Sequence, residues 1–192
     1  MDDGLKAMVK MGQIERTGEA GMSIYYLSHD GKNCINCYSC EVHCKTKNGL
    51  PVGPRFCQIL SVGPKLVGGV PKLGLVFMPC FHCEKPWCVA ACPTGAMQKR
   101  EKDGIVFVES SLCVGCKSCI IACPWGTPQW NPETGKAAKC DYCRDRVDAG
   151  LKPACVTKCL TQCLDFGVAT AEETAALKRE RWARAVAFDL MA

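Results

Sequence analysis

Nowhere does this chain run apolar for the roughly 20 residues that cross a bilayer. No membrane span is expected, and any membrane contact must pass through a partner. The basic-then-apolar pattern of an export signal is also missing. A cytoplasmic location is therefore expected, the alternative being periplasmic, by co-export with a signal-bearing partner. Histidine is scarce: His29, His43 and His82 are the whole supply, and none stands in a pattern with paired carboxylates. No substrate-processing constellation is visible and no catalytic residue is assigned. At 192 residues the chain is one domain or a compact pair.

What it has in abundance is cysteine, 18 residues in 192, far above ordinary usage. Disulfide scaffolds are mostly short and secreted, whereas this chain is long and sets its cysteines in tight repeated runs. Structural zinc usually takes separated C-x2-C pairs. Three cysteines at successive three-residue steps, with a fourth beyond, suit a cubane better, because soft thiolates favour iron–sulfur clusters.

Four such runs follow one another. Run one is Cys34, Cys37, Cys40 and Cys44. Run two is Cys80, Cys83, Cys88 and Cys92, with two extra residues before its third cysteine. Run three is Cys113, Cys116, Cys119 and Cys123, followed by Pro124, the bacterial ferredoxin spacing for a 4Fe–4S cluster. Run four, Cys140, Cys143, Cys155 and Cys159, carries an eleven-residue insert. In paired runs of this kind the first three thiolates hold one cluster and the fourth reaches across to the other. Cys80, Cys83 and Cys88 are thus expected to share a cluster with Cys123, and Cys113, Cys116 and Cys119 with Cys92. By the same rule Cys34, Cys37 and Cys40 take Cys159, and Cys140, Cys143 and Cys155 take Cys44. Cys163 stands where run two has Ala96 and is read as a non-ligand, with replacement of Cys159 left open. Cys57 is read as a small buried thiol.

The formal charge of +5 would suit a nucleic-acid partner, but sixteen thiolates around four oxidised cores bring the sum to about −3. The excess Lys and Arg then offsets cluster charge, and no nucleic-acid partner is expected.

Along the chain, residues 1–23 read as an N-terminal arm, and Ile24–Ser28 as a strand leading into run one. Residues 49–74 hold ten glycines and prolines and read as mostly loop, with a strand from Phe56 to Val62 and a further strand over Leu75–Met78. A loop so long is expected to meet a partner subunit. Hairpins are expected over Met97–Val108, turning at Lys102–Gly104, and around Asn131–Gly135. Thr170 with Glu173 forms a capping box that opens a C-terminal helix over 168–192. His82 is expected to be satisfied by backbone or exposed. Tyr38, Trp87, Trp125 and Trp130 are expected to shield clusters from water. Lys139, Arg144 and Arg146 are read as solvated, with pairing to a partner or stabilisation of reduced clusters as the alternatives.

These four runs, in order and with their x4 and x11 inserts, resemble the four-cluster iron–sulfur subunits of molybdenum- and tungsten-pterin oxidoreductases. That family includes the electron-transfer subunits of dimethyl sulfoxide reductase, polysulfide reductase and formate dehydrogenase relatives, and similar subunits accompany tungsten enzymes of the aldehyde oxidoreductase type. The resemblance covers roughly residues 24–167. It implies an α+β fold of two nested bacterial-ferredoxin-like units, with residues 80–124 inserted between run one and run four. It also implies four 4Fe–4S clusters, a separate catalytic Mo/W-pterin subunit and a further redox subunit or carrier. The runner-up is a free-standing soluble polyferredoxin. This chain departs from the family at Cys159-Leu160, where relatives often have Cys-Pro.

Overall fold

The computed structural model describes residues 24–169; the expected N-terminal arm and C-terminal helix lie outside them. The expected α+β class holds in its coarse form, with short strands and short helices mixed. Eight strands pair as four two-stranded antiparallel sheets. β1 (Ile24–His29) pairs with β8 (Leu164–Ala169), bringing the two ends of the described chain together. β2 (Cys57–Val67) pairs with β3 (Val70–Pro79). β4 (Met97–Lys99) pairs with β5 (Val106–Val108), and β6 (Gln129–Asn131) with β7 (Lys136–Ala138).

The hairpins expected over 97–108 and around 131–135 are both present. The Gly- and Pro-rich segment differs from expectation: most of it is the long hairpin β2–β3. Two backbone features let strands pass through breaker residues. The Gly68–Gly69 turn has positive φ at both positions, the geometry a two-residue hairpin turn requires. Pro64 sits in a register shift between Val62 and Lys65, a bulge where its missing N–H breaks no ladder bond.

Each cysteine run ends on or near a short helix. α1 (Ser39–Lys47) follows from run one, α2 (Trp87–Ala90) from run two and α3 (Ser118–Ile121) from run three. Run four carries α4 (Arg144–Asp148) inside its insert and α5 (Ala154–Thr157) beyond it. α1 packs on α5, and α2 on α3. A helix of run one thus packs on a helix of run four, and the helix of run two on that of run three.

The larger core gathers Leu27, Ile59, Phe77, Ile105 and Phe166 with cysteines of runs one and four. Phe77 is 0% exposed, a burial that contributes about 2–3 kcal/mol. A smaller core joins Met97, Val106 and Ala137 to Cys88 and Cys119. An aromatic ladder links the outer sheet to the central loop. Tyr25 stacks on Phe166 at 5.0 Å, Phe166 meets Tyr142 edge-on at 5.2 Å, and Tyr142 stacks on His82 at 3.7 Å. Buried Lys139 donates to the carbonyls of Val106 and Cys140 and so ties run four to β5.

Candidate metal centres

In every run the residue just before the second cysteine lies in the left-handed region: Asn36 (φ 56), His82 (φ 46), Gly115 (φ 72) and Tyr142 (φ 56). Tyr38, Lys117 and Cys143 lie in the same conformation, at or just after the second cysteine of their runs. Such residues cost about 1–2 kcal/mol each when they are not Gly. A helical residue beside a left-handed one points successive N–H groups into a common concavity, which is how backbone cradles anions and iron–sulfur centres. Gly115 is the position with no room for a side chain. A Cβ there would lie 2.5 Å from the Gly135 carbonyl and 3.1 Å from the Trp130 ring.

These loops collect the cysteines as follows. One cavity is lined by Cys92, Cys113, Cys116 and Cys119. A second is lined by Cys34, Cys37, Cys40 and Cys159 together with Cys163. A third is lined by Cys44, Cys140, Cys143 and Cys155 together with Cys57. In the fourth group, Cys80, Cys83 and Cys123 are near enough to Cys88 to disfavour its thiolate. All eighteen cysteines lie among the described residues, and none is paired in a disulfide.

Neighbouring groups lie close enough to act on one another. Cys40 acts on Cys155, coupling the two outer groups, and Cys80 acts on Cys140, coupling outer to central. Cys88 and Cys119 share the smaller core, which joins the two central groups. Burial pushes the Cys40 thiol up to about 12 and Cys88 up to about 11. Burial, then the charge of Cys44, carries Cys140 and Cys155 well above the ordinary thiol range. Crowded thiols with no water to stabilise a thiolate hold their protons until a soft cation replaces them.

Some sulfurs receive hydrogen bonds. The N–H of His82 donates to Cys80 Sγ at 3.4 Å, and that of Met97 to Cys92 Sγ at 3.4 Å. Burial raises the Cys92 thiol, but this N–H and the Thr94 hydroxyl outweigh it and leave the group below its ordinary value. Cys57 lies beside Cys44 and holds it low, while its own proton is held by Cys44 and by burial. Cys163 Sγ is 3.4 Å from Cys159 Sγ, and both face the same cavity.

The histidines are placed by backbone. Val106 N–H donates to His82 Nδ1 at 2.9 Å, and the ring is 1% exposed, so the backbone-satisfied expectation for His82 holds. His29 Nδ1 accepts from Phe77 N–H at 3.3 Å, and the ring lines the cavity beside Cys34 and Cys163 with ligand atoms within 4.8 Å of one another. No motif or spacing in the sequence points to that placement.

Tyr38 lines the cavity of Cys34, Cys37, Cys40 and Cys159 while itself partly open to water, and Trp87 is 57% exposed. The solvated expectation for Lys139 needs correction. Lys139 is buried and tied to carbonyls, out of reach of a partner. Arg144 lies over the Phe107 ring at 4.3 Å, and Arg146 donates to the Lys152 carbonyl at 2.9 Å.

The donor set, soft sulfur in groups of four or five with backbone N–H groups aimed at Cys80 and Cys92, defines an iron–sulfur protein. Residues 73–169 match the family described as 4Fe-4S dicluster domain, and the chain belongs to that family. It is 43% identical over 145 residues to the thiosulfate reductase electron transfer subunit PhsB of Salmonella typhi, covering 74% of this chain and 75% of that one. It is 41% identical over 145 residues to the B subunit of anaerobic dimethyl sulfoxide reductase from Escherichia coli, covering 72% and 70%. The B subunit of polysulfide reductase from Wolinella succinogenes is 41% identical over 145 residues, covering 74% and 75%. Among the described residues no helix is long and apolar enough to cross a membrane.

Proposed function

We propose that this chain is the electron-transfer subunit of an oxidoreductase complex, holding four 4Fe–4S clusters between a catalytic Mo/W-pterin subunit and a further redox partner. The relatives are electron-transfer or B subunits of reductases by name, which favours a subunit over a free-standing polyferredoxin. The observation that carries the reading is the gathering of cysteines from separate runs around shared cavities that adjoin one another.

The proposed ligand sets are Cys34, Cys37, Cys40 with Cys159; Cys140, Cys143, Cys155 with Cys44; Cys80, Cys83, Cys88 with Cys123; and Cys113, Cys116, Cys119 with Cys92. Two nested ferredoxin-like units follow, the inner from runs two and three and the outer from runs one and four. Helix packing supports this nesting, α2 on α3 and α1 on α5. When bound, each cluster supplies one-electron chemistry that side chains lack.

The chain's own residues set the conditions. Thiolates would anchor the metal at fixed places, the left-handed His82 and the strand residue Met97 donate N–H groups to Cys80 and Cys92 Sγ, and apolar packing by Phe77, Ile105 and Phe166 excludes water. Lys139 supplies a buried positive charge between Cys88 and Cys140, which offsets thiolate charge where the inner and outer units meet.

The tip of β2–β3 supports partner contact. Leu66 is 76% exposed, and Val67 and Val70 are exposed beside it, an apolar patch without cover in the isolated chain.

Purification of the complex under anaerobic conditions from its native source, with metal analysis, tests the reading. The expected result is this chain in a fixed ratio with a larger subunit carrying molybdenum or tungsten. A chain that elutes alone, with no pterin-bearing partner, would overturn it.

A further inference from the structure

The fourth cysteines of the four runs share a neighbour at a fixed offset. Four residues after Cys44, Asn48 Nδ2 lies 3.6 Å from its sulfur. Four residues after Cys123, Thr127 Oγ1 lies 3.5 Å from its sulfur. Four residues after Cys159 comes Cys163, with Sγ 3.4 Å away. Four residues after Cys92 comes Ala96, which has no donor and lines the same cavity as Cys92.

Two unlike backbones produce this one offset. At Cys44 it is the end of α1, where Asn48 caps the helix and its side chain also donates to the Cys44 carbonyl at 2.8 Å. At the other three it is a tight turn closed onto the cysteine carbonyl by the N–H of Gly95, Gly126 or Gln162, each at positive φ. The turn folds the next residue back over the sulfur.

We propose that the residue four positions after each fourth cysteine is a positioning residue that sets the reduction potential of the cluster sharing that cysteine. The inference rests on the iron–sulfur reading above. A cysteine bound to iron has no proton to give, so Thr127 Oγ–H and Asn48 Nδ2–H must donate to it. A donor stabilises the more negative, reduced state and raises the potential. The four clusters therefore meet an amide, a hydroxyl, a thiol and no side-chain donor at this place, and the chain grades its relay through four side chains rather than through the ligands. Cys92 keeps backbone help from Met97 N–H and a longer contact to Thr94 at 3.8 Å, so Ala96 is the position where a side-chain donor can be added.

The test is a redox titration by electron paramagnetic resonance on the full chain, purified anaerobically, with iron counted in every variant. T127V keeps the shape and removes the donor. It should make the cluster of Cys80, Cys83, Cys88 and Cys123 about tenfold harder to reduce, which for one electron is about 59 mV, while T127S restores the wild-type value. A96S should shift the cluster of Cys113, Cys116, Cys119 and Cys92 upward by a similar factor. Should T127V fail to take iron, A96S decides by the same shift. Full iron with unmoved potentials, or an equal shift in T127V and T127S, overturns the inference and leaves the relay reading standing. A wild-type chain that takes up no iron overturns both.

Discussion

Runs two and three lie within residues 80–124 and are joined by the single hairpin β4–β5, whereas runs one and four are held together by contacts between distant parts of the chain. The inner fourth cysteines are each followed by proline, Pro93 and Pro124; the outer ones are followed by Lys45 and Leu160. The inner Cys92 cavity has four cysteines, and each outer cavity has a fifth, Cys163 or Cys57. The inner unit is thus specified locally, by spacing and fixed φ. The outer unit depends on β1 pairing with β8, on α1 packing on α5 and on Glu41, whose buried carboxylate accepts Ile59 N–H at 2.6 Å.

The comparison is broken most severely by removing an inner ligand. C113S should cost about four iron atoms per chain, one cubane's worth, and interrupt electron flow, whereas C57A and C163A should retain full iron. Iron analysis with a donor-to-acceptor electron-transfer assay reads both. Equal iron loss in all three would erase the distinction between the four ligands and the fifth cysteine.

Next in size is G115A. Its Cβ would meet the backbone carbonyl of Gly135 at 2.5 Å, at φ 72. A loss of about 2–3 kcal/mol is expected, measured by denaturant unfolding of the loaded chain, with β6–β7 and run three affected first.

The junction between units is probed by Arg100, which pairs with Asp103 and reaches Asp148 in α4 at 2.8 Å. Asp103 is buried, so R100A leaves a carboxylate without its cation and should cost about 2–3 kcal/mol. An unchanged unfolding midpoint would mean that the inner and outer units do not rely on this link.

The smallest effect falls on the outer unit's surface. Lys47 pairs with Asp145 at 2.8 Å, an exposed link between α1 and α4. The hydrogen bond from Lys47 holds the Asp145 carboxyl below the usual range. A depressed carboxylate contributes stability above its unfolded value of about 4 and loses it as pH falls through the folded value. K47A should therefore cost no more than about 0.5 kcal/mol at neutral pH, less in high salt, and nothing in acid.

Of the inner unit, run three's C-x2-C-x2-C-x3-C-P spacing and the hairpin turning around Lys102–Gly104 are legible locally. The outer unit is legible only as two half-motifs, because what joins Cys159 to Cys34 is strand pairing across more than half the chain. The long hairpin escapes a reading by composition because its glycines and prolines look like breakers. Pro64 is tolerated at a bulge and Gly68–Gly69 makes a turn, facts set by register rather than by composition. His29 in a cysteine cavity and Asn48 and Thr127 beside sulfurs carry no sequence signal of their own, since only the fold brings them there.

Iron and acid-labile sulfide per chain, measured on the wild-type protein purified without oxygen, test the central claim most directly. About sixteen iron atoms, four for each of four cubanes, with no thiol pair oxidised to a disulfide, is the expected result. A saturated value near eight, about two cubanes' worth, would contradict it by leaving one of the two units without clusters.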